Sequence, residues 1–537
     1  MISRPWQKAY GPGIPFEIEL PADATLQGLL SDAFSRHADS VAITCLAERY
    51  SFAEVDELSA ALASFLQERR LSTGERVAIV TPNCPAFIVA TAAALRSGLV
   101  VVPVNPLYTA REMQQQLRDA DVSAVVAGDM QLPTVEQAVS GMPLKVLIRT
   151  TVKDAFEAET ADAPQVTIAA AVAQGRERPL QPVTLSTNDL AFLQYTGGTT
   201  GVSKGAMLTH RSVYASLMQI AAWMPAELRE PGTSLITPLP LYHIYPLASA
   251  LSAIWRGANN RLVPDPRDPR QLFGELLAGP FEAILGINTL FNALVDAPML
   301  KQVDFSKTRA VSGAGASTHE SVARRWEAAG GPPITEGYGL TETSPSACFN
   351  APGMNGALGR PVPSTDARVV DGEDRDVPLG EPGELLLKGP QVFAGYWQRE
   401  EETRRAFTPD GWFRTGDIVT MDETGLMRMV DRKKDMILVS GFNVYPNEIE
   451  AVVAKMDEVS ECACIGVPDD RRGEVPHLFV VARDPQLTPD GIEAHCRVNL
   501  AAYKIPRHIT LLKELPKSPV GKILRRSLRD LTKAEAQ

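Results

Sequence analysis

The sequence predicts an α/β protein built from at least two domains. A chain of 537 residues is too long for one hydrophobic core. Between residues 25 and 190, short apolar runs alternate with helical patterns, and such alternation is typical of parallel sheets covered by helices. The last hundred residues show an α+β alternation of their own. We therefore expect a large N-terminal α/β region followed by a smaller α+β domain.

The elements of the N-terminal region follow from the spacing of its apolar residues. Helices are expected at residues 58–66, 86–95 and 112–120, and strands at residues 76–80, 99–104, 124–127, 145–148, 190–195 and 233–237. Residues 154–182 are polar at both ends of a short alanine-rich run, which predicts a surface connection.

The second half of the chain predicts two further units. Residues 357–396 are rich in glycine and proline around short apolar runs at 367–370 and 384–388, which favours an antiparallel subdomain. The C-terminal pattern predicts helices at residues 445–455 and 491–500, with strands at 461–467 and 478–482.

Composition and charge narrow the function classes. A net charge of −11 argues against nucleic acid as the main partner, because phosphate backbones require a basic face. The six cysteines show no zinc-ligand spacing, and Cys462 and Cys464 are expected to line one face of a strand. The N-terminus has no secretory pattern, and Arg96 and Ser97 interrupt the most apolar stretch. We expect reduced cysteines and a cytoplasmic location.

The stretch from Tyr195 to Gly205 predicts a loop that binds nucleotide phosphates. Glycine lets the backbone bend so that successive N–H groups point at one anion. Hydroxyl groups add donors, and a lysine adds a positive charge. Ser203 precedes the lysine, so the stretch is not a Walker A loop. The candidate phosphate-binding residues are Thr196, Gly197, Gly198, Thr199, Thr200, Gly201 and Lys204.

This string resembles the phosphate loop of the adenylate-forming superfamily, which contains acyl-CoA synthetases, luciferases and peptide-synthetase adenylation domains. Gly197 and Ser203 depart from the commonest form of that loop, which has serine and proline there. Both departures, like the stretch 410–432, resemble the bacterial long-chain fatty acyl-CoA synthetases.

Two later stretches predict the rest of a nucleotide site. Small residues at 313–315 let a planar base approach the backbone, and Tyr338 offers an aromatic face to a purine. The carboxylate of Glu342 is an oxygen ligand of the kind that Mg²⁺ prefers. As a set, these residues resemble the adenine and Mg²⁺ sites of the superfamily: Gly313, Ala314, Gly315, Glu336, Gly337, Tyr338, Gly339, Thr341 and Glu342.

The resemblance also assigns roles to single residues. It implies ribose contacts for Asp417 and Arg432, a hinge at Lys434, a CoA-facing loop at Gly441 and a catalytic lysine at Lys522. Thr196, Glu342 and His243 join Lys522 as the implied catalytic residues. The implied acyl pocket consists of His243, Ile244, Tyr245, Leu290 and Phe291.

The fold implied is an N-terminal domain of residues 1–432, with two α/β subdomains and a β subdomain, and a small mobile domain of residues 433–537. The activity implied is ATP- and Mg²⁺-dependent joining of a medium- or long-chain fatty acid to CoA through an acyl-adenylate. The alternatives are a ligase for aromatic or other acids, an acyl-AMP ligase that loads a carrier protein, and a nucleotide-binding protein without catalysis. Peripheral contact with the inner membrane and a homodimer are left open.

Overall fold

The structure is a computed structural model and describes residues 4–157, 166–196, 203–315, 318, 320–440, 442–469, 471–517 and 523–535. The helices are α1 Leu26–Arg36, α2 Phe52–Glu68, α3 Pro85–Arg96, α4 Ala110–Asp119, α5 Leu132–Val139, α6 Ile168–Arg176, α7 His210–Trp223, α8 Ile244–Trp255, α9 Pro269–Leu277, α10 Asn288–Asp296, α11 Glu320–Ala328, α12 Glu400–Ala406, α13 Pro446–Val453, α14 Pro489–Asn499 and α15 Arg525–Glu535.

The strands, also in chain order, are β1 Val41–Cys45, β2 Glu48–Ser51, β3 Arg76–Val80, β4 Val100–Pro103, β5 Val122–Gly128, β6 Val146–Thr150, β7 Val166–Thr167, β8 Leu190–Thr196, β9 Lys204–Thr209, β10 Ser234–Thr237, β11 Asn259–Leu262, β12 Ala283–Gly286, β13 Ala310–Ala314, β14 Ile334–Tyr338, β15 Cys348–Phe349, β16 Arg360–Pro361, β17 Asp366–Val370, β18 Gly383–Lys388, β19 Phe413–Met421, β20 Met427–Arg432, β21 Ile437–Val439, β22 Phe442–Val444, β23 Val459–Asp469, β24 Gly473–Ala482 and β25 His508–Leu512.

Two large and mostly parallel sheets form the N-terminal region. One has the strand order β7-β6-β5-β3-β4-β8-β9, and the other has the order β16-β15-β14-β13-β12-β10-β11-β1-β2. Helices α1, α2, α3 and α8 lie in one continuous core with residues from both sheets, among them the fully buried Ile43 and the buried Val77. This arrangement confirms the predicted α/β class.

Two smaller sheets complete the chain. Strands β17 to β20 form an antiparallel meander, and β22-β21-β24-β23, with β25 paired to β24, form the C-terminal sheet. The antiparallel subdomain therefore exists as predicted, although it reaches Arg432 and not residue 396. Cys462 and Cys464 alternate with Ala463 on β23, as expected. Among the described residues, no helix has the length and apolar character needed to cross a bilayer.

The prediction of a surface connection over residues 154–182 is wrong for its middle part. Residues 168–176 form α6, which packs on α2. The two helices approach so closely that a Cβ on Gly175 would lie 1.8 Å from the Ala61 carbonyl oxygen. Ile168 and Ala171 are fully buried in this contact region. The helix is therefore part of the core.

Candidate active site

The candidate phosphate loop connects two paired strands. Thr196 ends β8 and lies opposite Lys204, the first residue of the antiparallel strand β9. Ser203 Oγ donates a hydrogen bond of 2.6 Å to the Thr196 carbonyl oxygen, and Thr196 Oγ1 donates one of 3.4 Å to the Lys204 carbonyl oxygen. These contacts fix the base of the loop. Gly197, Gly198, Thr199, Thr200 and Gly201 lie outside the described residues.

The half-buried Asp119 anchors the end of β8. The Tyr195 hydroxyl donates to Asp119 Oδ2 at 2.7 Å, and Arg399 Nη2 donates to Asp119 Oδ1 at 2.5 Å. The indole N–H of Trp397 donates to the Asp119 carbonyl oxygen at 3.1 Å. Asp119 therefore joins β8 to the segment that precedes α12. This junction was not predicted, because its residues come from three distant parts of the chain, at Asp119, at Tyr195 and at 397–399.

Lys204 and Glu342 share an aromatic neighbour, Tyr396. The Tyr396 hydroxyl donates to Glu342 Oε1 at 2.7 Å, and Lys204 Nζ lies 5.1 Å from the centroid of the Tyr396 ring. The backbone N–H of Phe393 also donates to the Glu342 carbonyl oxygen at 2.8 Å. The structure thus joins the predicted phosphate lysine to the predicted Mg²⁺ ligand. The only sequence signal for Tyr396 was its place after Gly395 in the glycine-rich stretch.

The carboxylate of Glu342 is buried, with 9% of the residue exposed. Burial raises its pKa above the ordinary value of 4.5, and the Tyr396 hydrogen bond only partly opposes that shift. No described lysine or arginine lies within ion-pair distance of it, and no cluster of three metal-ligating side chains occurs among the described residues. One buried carboxylate suits Mg²⁺, which usually takes one or two carboxylates together with substrate phosphates.

The predicted nucleoside residues lie together at the end of β14. The Tyr338 hydroxyl donates to Asp417 Oδ2 at 2.5 Å, and Arg432 Nε lies 3.5 Å from Asp417 Oδ1. Asp417 and Arg432 are cross-strand partners in the β19–β20 pair. Burial and the Asp417 carboxylate raise the pKa of Tyr338, so its phenol stays protonated as a donor. A short turn begins at Thr341 and includes Glu342, which lies four residues after Tyr338.

The small residues next to Tyr338 have a packing role. A Cβ on Gly339 would lie 1.5 Å from the Pro345 carbonyl oxygen, and one on Gly337 would lie 2.7 Å from the Phe349 ring. Across the parallel pair β13–β14, Gly313 lies opposite Glu336 and Ala314 lies opposite Gly337. The exposed Gly315 follows the end of β13. The predicted base-binding segments are therefore adjacent.

The Glu336 carboxylate binds backbone groups of the protein. It accepts hydrogen bonds from the backbone N–H groups of Thr318 and, at 2.8 Å, Gly356. The residue is 4% exposed, and burial raises its pKa. Its side chain thus holds two loops near β14, and direct contact with a nucleotide stays a prediction.

His243 stands at the N-terminus of α8, after a loop held by a buried asparagine. Asn83 Nδ2 donates to the carbonyl oxygens of Thr237, at 3.1 Å, and Leu239, at 2.9 Å. Its Oδ1 accepts from the Leu241 N–H at 2.8 Å. The ring of Tyr242 lies 4.5 Å from that of His243, centroid to centroid. Asn83 was not predicted, since a single asparagine after β3 carries no distinctive pattern.

The predicted acyl-pocket residues differ in their surroundings. The hydroxyl of Tyr245 donates to Ser312 Oγ at 2.9 Å, which joins α8 to β13. Ile244 is buried and Leu290 is half-buried, whereas Phe291 is fully buried with its ring centroid 5.3 Å from that of Trp326. Their contact with a substrate stays a prediction.

The junction after β20 contains a buried charge network. Asp431 Oδ2 accepts from the Asn447 N–H at 2.9 Å, and Arg525 Nη1 lies 3.6 Å from both Asp431 Oδ1 and Asp435 Oδ2. Arg525 Nη2 also donates to Glu450 Oε1 at 2.7 Å. This network ties the start of α15 to β20 and was not predicted.

The predicted hinge lies within the same junction. Burial lowers the pKa of the predicted hinge residue Lys434. Gly441 and Lys522 lie outside the described residues.

Comparison with known families decides the assignment. Residues 30–397 match the model of the AMP-binding enzyme family, and residues 448–522 match that of the AMP-binding enzyme C-terminal domain. The chain belongs to the AMP-binding enzyme family. The first matched range includes Tyr338 and Glu342, whereas Asp417 and Arg432 lie between the two ranges.

Relatives of the chain support a more detailed comparison. A long-chain-fatty-acid–CoA ligase of Escherichia coli is 42% identical, over 98% of each chain. A feruloyl-CoA synthase of Amycolatopsis is 31% identical, over 89% of this chain and 93% of its own. The crystal structure of ATP-bound MatB from Rhodopseudomonas palustris has a TM-score of 0.84 at 28% identity, and it covers 95% of this chain and 100% of its own.

Proposed function

We propose that the protein joins a medium- or long-chain fatty acid to CoA at the expense of ATP. The reaction has two halves: the carboxylate attacks the α-phosphate of ATP and releases diphosphate, and the CoA thiol then displaces AMP from the acyl-adenylate. The observation that carries this proposal is 42% identity to long-chain-fatty-acid–CoA ligases over 98% of both chains. The paired contacts of Tyr338 with Asp417 and of Tyr396 with Glu342 support it.

The first half-reaction brings two anions together, so its barrier is largely electrostatic. Lys204 adds a positive charge beside the predicted phosphate loop, and its ammonium group is placed over Tyr396. Glu342 would hold Mg²⁺, which neutralises charge on the phosphates when bound. Lys522 would approach the α-phosphate from the small domain.

The nucleoside end is fixed by hydrogen bonds among the protein's own residues. Because Tyr338 donates to Asp417 Oδ2, the other oxygen, Oδ1, faces Arg432. A carboxylate has enough lone pairs to accept from ribose hydroxyls as well. Asp417 and Arg432 would therefore orient the ribose, and Tyr338 would present its ring to the base.

The second half-reaction requires the small domain to move. In the proposed cycle, the chain turns near Lys434, withdraws Lys522 and brings the Gly441 loop to the thiol channel. His243 at the start of α8 would lie near the reacting carboxylate. The contacts of Asn83 with the backbone support a fixed position for the loop that precedes His243.

The acyl substrate is tested by a panel of acids from acetate to oleate together with coumarate, scored by thioester formation. We expect kcat/KM to rise over successive carbons and then level off, since each buried CH₂ contributes about 0.8 kcal/mol. The relative named feruloyl-CoA synthase supports an aromatic acid as the second candidate. If coumarate exceeds every fatty acid at equal concentration, the fatty-acid proposal is wrong.

A second measurement separates ligase from adenylating enzyme. Diphosphate release is followed with and without CoA, and the thioester is quantified. We expect steady turnover to require CoA, because the acyl-adenylate otherwise stays bound. Turnover that is indifferent to CoA, with no thioester formed, would contradict the proposed second half-reaction.

A further inference from the structure

A basic cavity lies where three helices end, away from the candidate active site. Its volume is about 220 Å³, and its walls include Arg36, His37, Arg229 and Arg256, which we name the arginine cavity. Arg36 is the last residue of α1, and Arg256 directly follows α8. Because α8 has 12 residues, its far end lies about 18 Å from the start of α8 at His243. The arginine cavity is thus separate from the acyl site.

The arginines of the cavity are held by main-chain carbonyl groups. Arg256 Nε donates to the Ser252 carbonyl oxygen at 3.0 Å, and its Nη1 donates to that of Leu228. Arg229 Nη2 donates to the carbonyl oxygens of Ala222, at 2.9 Å, and Met224, at 3.1 Å. These bonds cap helix ends, a usual role for basic residues. They fix the guanidinium groups in place without neutralising their charge.

The positive charge of the cavity exceeds what capping requires. Arg36 pairs with Asp32 at 2.6 Å, but among the described residues no carboxylate lies within ion-pair distance of Arg229 or Arg256. Arg256 is 8% exposed, and burial together with the charge of Arg229 lowers its pKa to about 10. Two like charges therefore repel each other in a protein whose net charge is −11.

The free donors of the cavity match one type of ligand. A guanidinium group has five N–H donors and binds phosphate oxygens in pairs. Arg229 Nη1 and Arg256 Nη2 have no acceptor among the described residues. At about 30 Å³ for each water in the liquid, the cavity has room for about seven waters, enough for a phosphate group and a short organic part. Trp255 and Pro231 supply apolar walls for that part.

We propose that the arginine cavity binds a phosphate monoester dianion, held by Arg229 and Arg256. The proposal goes beyond the ligase activity and does not depend on it. The ligand chemistry is the same for a soluble phosphate monoester and for the headgroup of phosphatidic acid, so the experiment distinguishes these sources.

The test uses Arg229→Gln in the full-length protein, because this exposed side chain can lose its charge while an amide still caps the helix. Arg324→Gln is the matched control, since it removes one exposed arginine that is paired with Glu320. Glycerol 3-phosphate is titrated by calorimetry. We expect Arg229→Gln to weaken binding about tenfold or more, as for the loss of a charged hydrogen bond, and Arg324→Gln to leave it unchanged.

A second arm measures flotation of the protein with phosphatidylcholine vesicles that contain phosphatidic acid or phosphatidylglycerol. Retention that requires phosphatidic acid and Arg229 identifies a lipid headgroup as the source. Binding of glycerol 3-phosphate without retention identifies a soluble ligand. Equal behaviour of wild type, Arg229→Gln and Arg324→Gln in both arms overturns the proposal. Adenylation by Arg229→Gln should equal that of wild type, which shows that the variant is folded and that the ATP site is intact.

Discussion

The phenolic oxygen of Tyr396 lies 2.7 Å from Glu342 Oε1, and the face of the same ring lies 5.1 Å from Lys204 Nζ. One side chain therefore contacts both the predicted Mg²⁺ ligand and the predicted phosphate lysine. The two contacts use different parts of the residue: the hydroxyl binds the carboxylate, and the aromatic face attracts the ammonium group. They can be separated by a single substitution.

Tyr396→Phe removes the hydroxyl and keeps the ring. A hydrogen bond to a charged group is worth about 1.5–3 kcal/mol, so we expect the Mg²⁺ concentration for half-maximal adenylation to rise roughly tenfold or more. Tyr10→Phe is the control, because it removes a tyrosine hydroxyl that binds the Pro361 carbonyl oxygen. An unchanged Mg²⁺ requirement in Tyr396→Phe would show that this contact does not position Glu342.

Glu342→Gln should lower activity and raise stability. Without the carboxylate we expect adenylation to fall at least tenfold and the Mg²⁺ requirement to rise. The raised pKa of Glu342 means that its ionisation opposes folding. This opposition is absent below the ordinary value of 4.5 and grows as the pH rises through the folded-state pKa. Without ATP and Mg²⁺, the variant should therefore have the higher Tm at pH 8, and the difference should vanish near pH 4. A lower Tm at pH 8 would contradict the burial argument.

Asn83→Leu tests the loop that leads to His243. The substitution keeps a similar volume but leaves the Thr237 and Leu239 carbonyl oxygens and the Leu241 N–H without their partner. Each buried group left unpaired costs about 1–3 kcal/mol. We expect a lower free energy of unfolding and, at temperatures where the variant is folded, a higher KM for the fatty acid. Asn259→Leu removes a similar bond, to Thr44, and should leave that KM unchanged. If Asn83→Leu and Asn259→Leu have the same KM for the fatty acid, Asn83 has no role in positioning the loop before His243.

Arg525→Met tests the junction of β20 with α15. It leaves the carboxylates of Asp431, Asp435 and Glu450 near one another without their shared cation. Breaking such a buried pair costs about 3–5 kcal/mol, measured here by urea unfolding at pH 8. The exposed Arg526→Met is the control.

The pH dependence of Arg525→Met has a definite sign. Burial already raises the pKa of Asp431 and Glu450, so ionisation of these groups opposes folding above their ordinary values of 3.8 and 4.5. As the pH falls toward those values, the carboxyls bind protons and the loss of stability should shrink. A loss that is constant from pH 8 to pH 4 would show that packing, and not charge, is at work.

Lys522→Ala tests the division of the reaction into two halves. We expect it to lower acyl-adenylate formation by at least a hundredfold, about 2.7 kcal/mol of barrier, and to largely spare thioester formation from supplied acyl-adenylate. The two rates are measured separately by diphosphate release and by thioester yield. Equal losses in both halves would refute the assignment and indicate a folding role.

Many of the helices and strands were predictable from local patterns of apolar residues. The strand at residues 76–80 has its predicted bounds, and the helix at 86–95 extends by only one residue at each end, because both have continuous apolar faces. Helix α6 was missed because its short alanine-rich run has little amphipathic character. The helix packs closely on α2, where Gly175 meets Ala61. Its helical state depends on packing between distant parts of the chain.

The candidate site was predictable only where its residues form consecutive strings. Tyr338 and Glu342 lie in one such string, whereas Tyr396 is 54 residues from Glu342 and shares no pattern with it. Asn83 is 158 residues from Leu241. Such pairs are created by the tertiary fold, and the sequence contains no local signal for them.

Strand β20 ends with two residues that point in opposite directions, as successive strand residues do. Arg432 contacts Asp417 at the proposed ribose site, while Asp431 contacts Asn447 and Arg525 in the C-terminal region. A displacement of this strand end therefore changes both the contact with Asp417 and the contacts with Asn447 and Arg525. Thermodynamic linkage then requires reciprocity: if the nucleotide favours one orientation of the small domain, stabilising that orientation tightens nucleotide binding by the same factor.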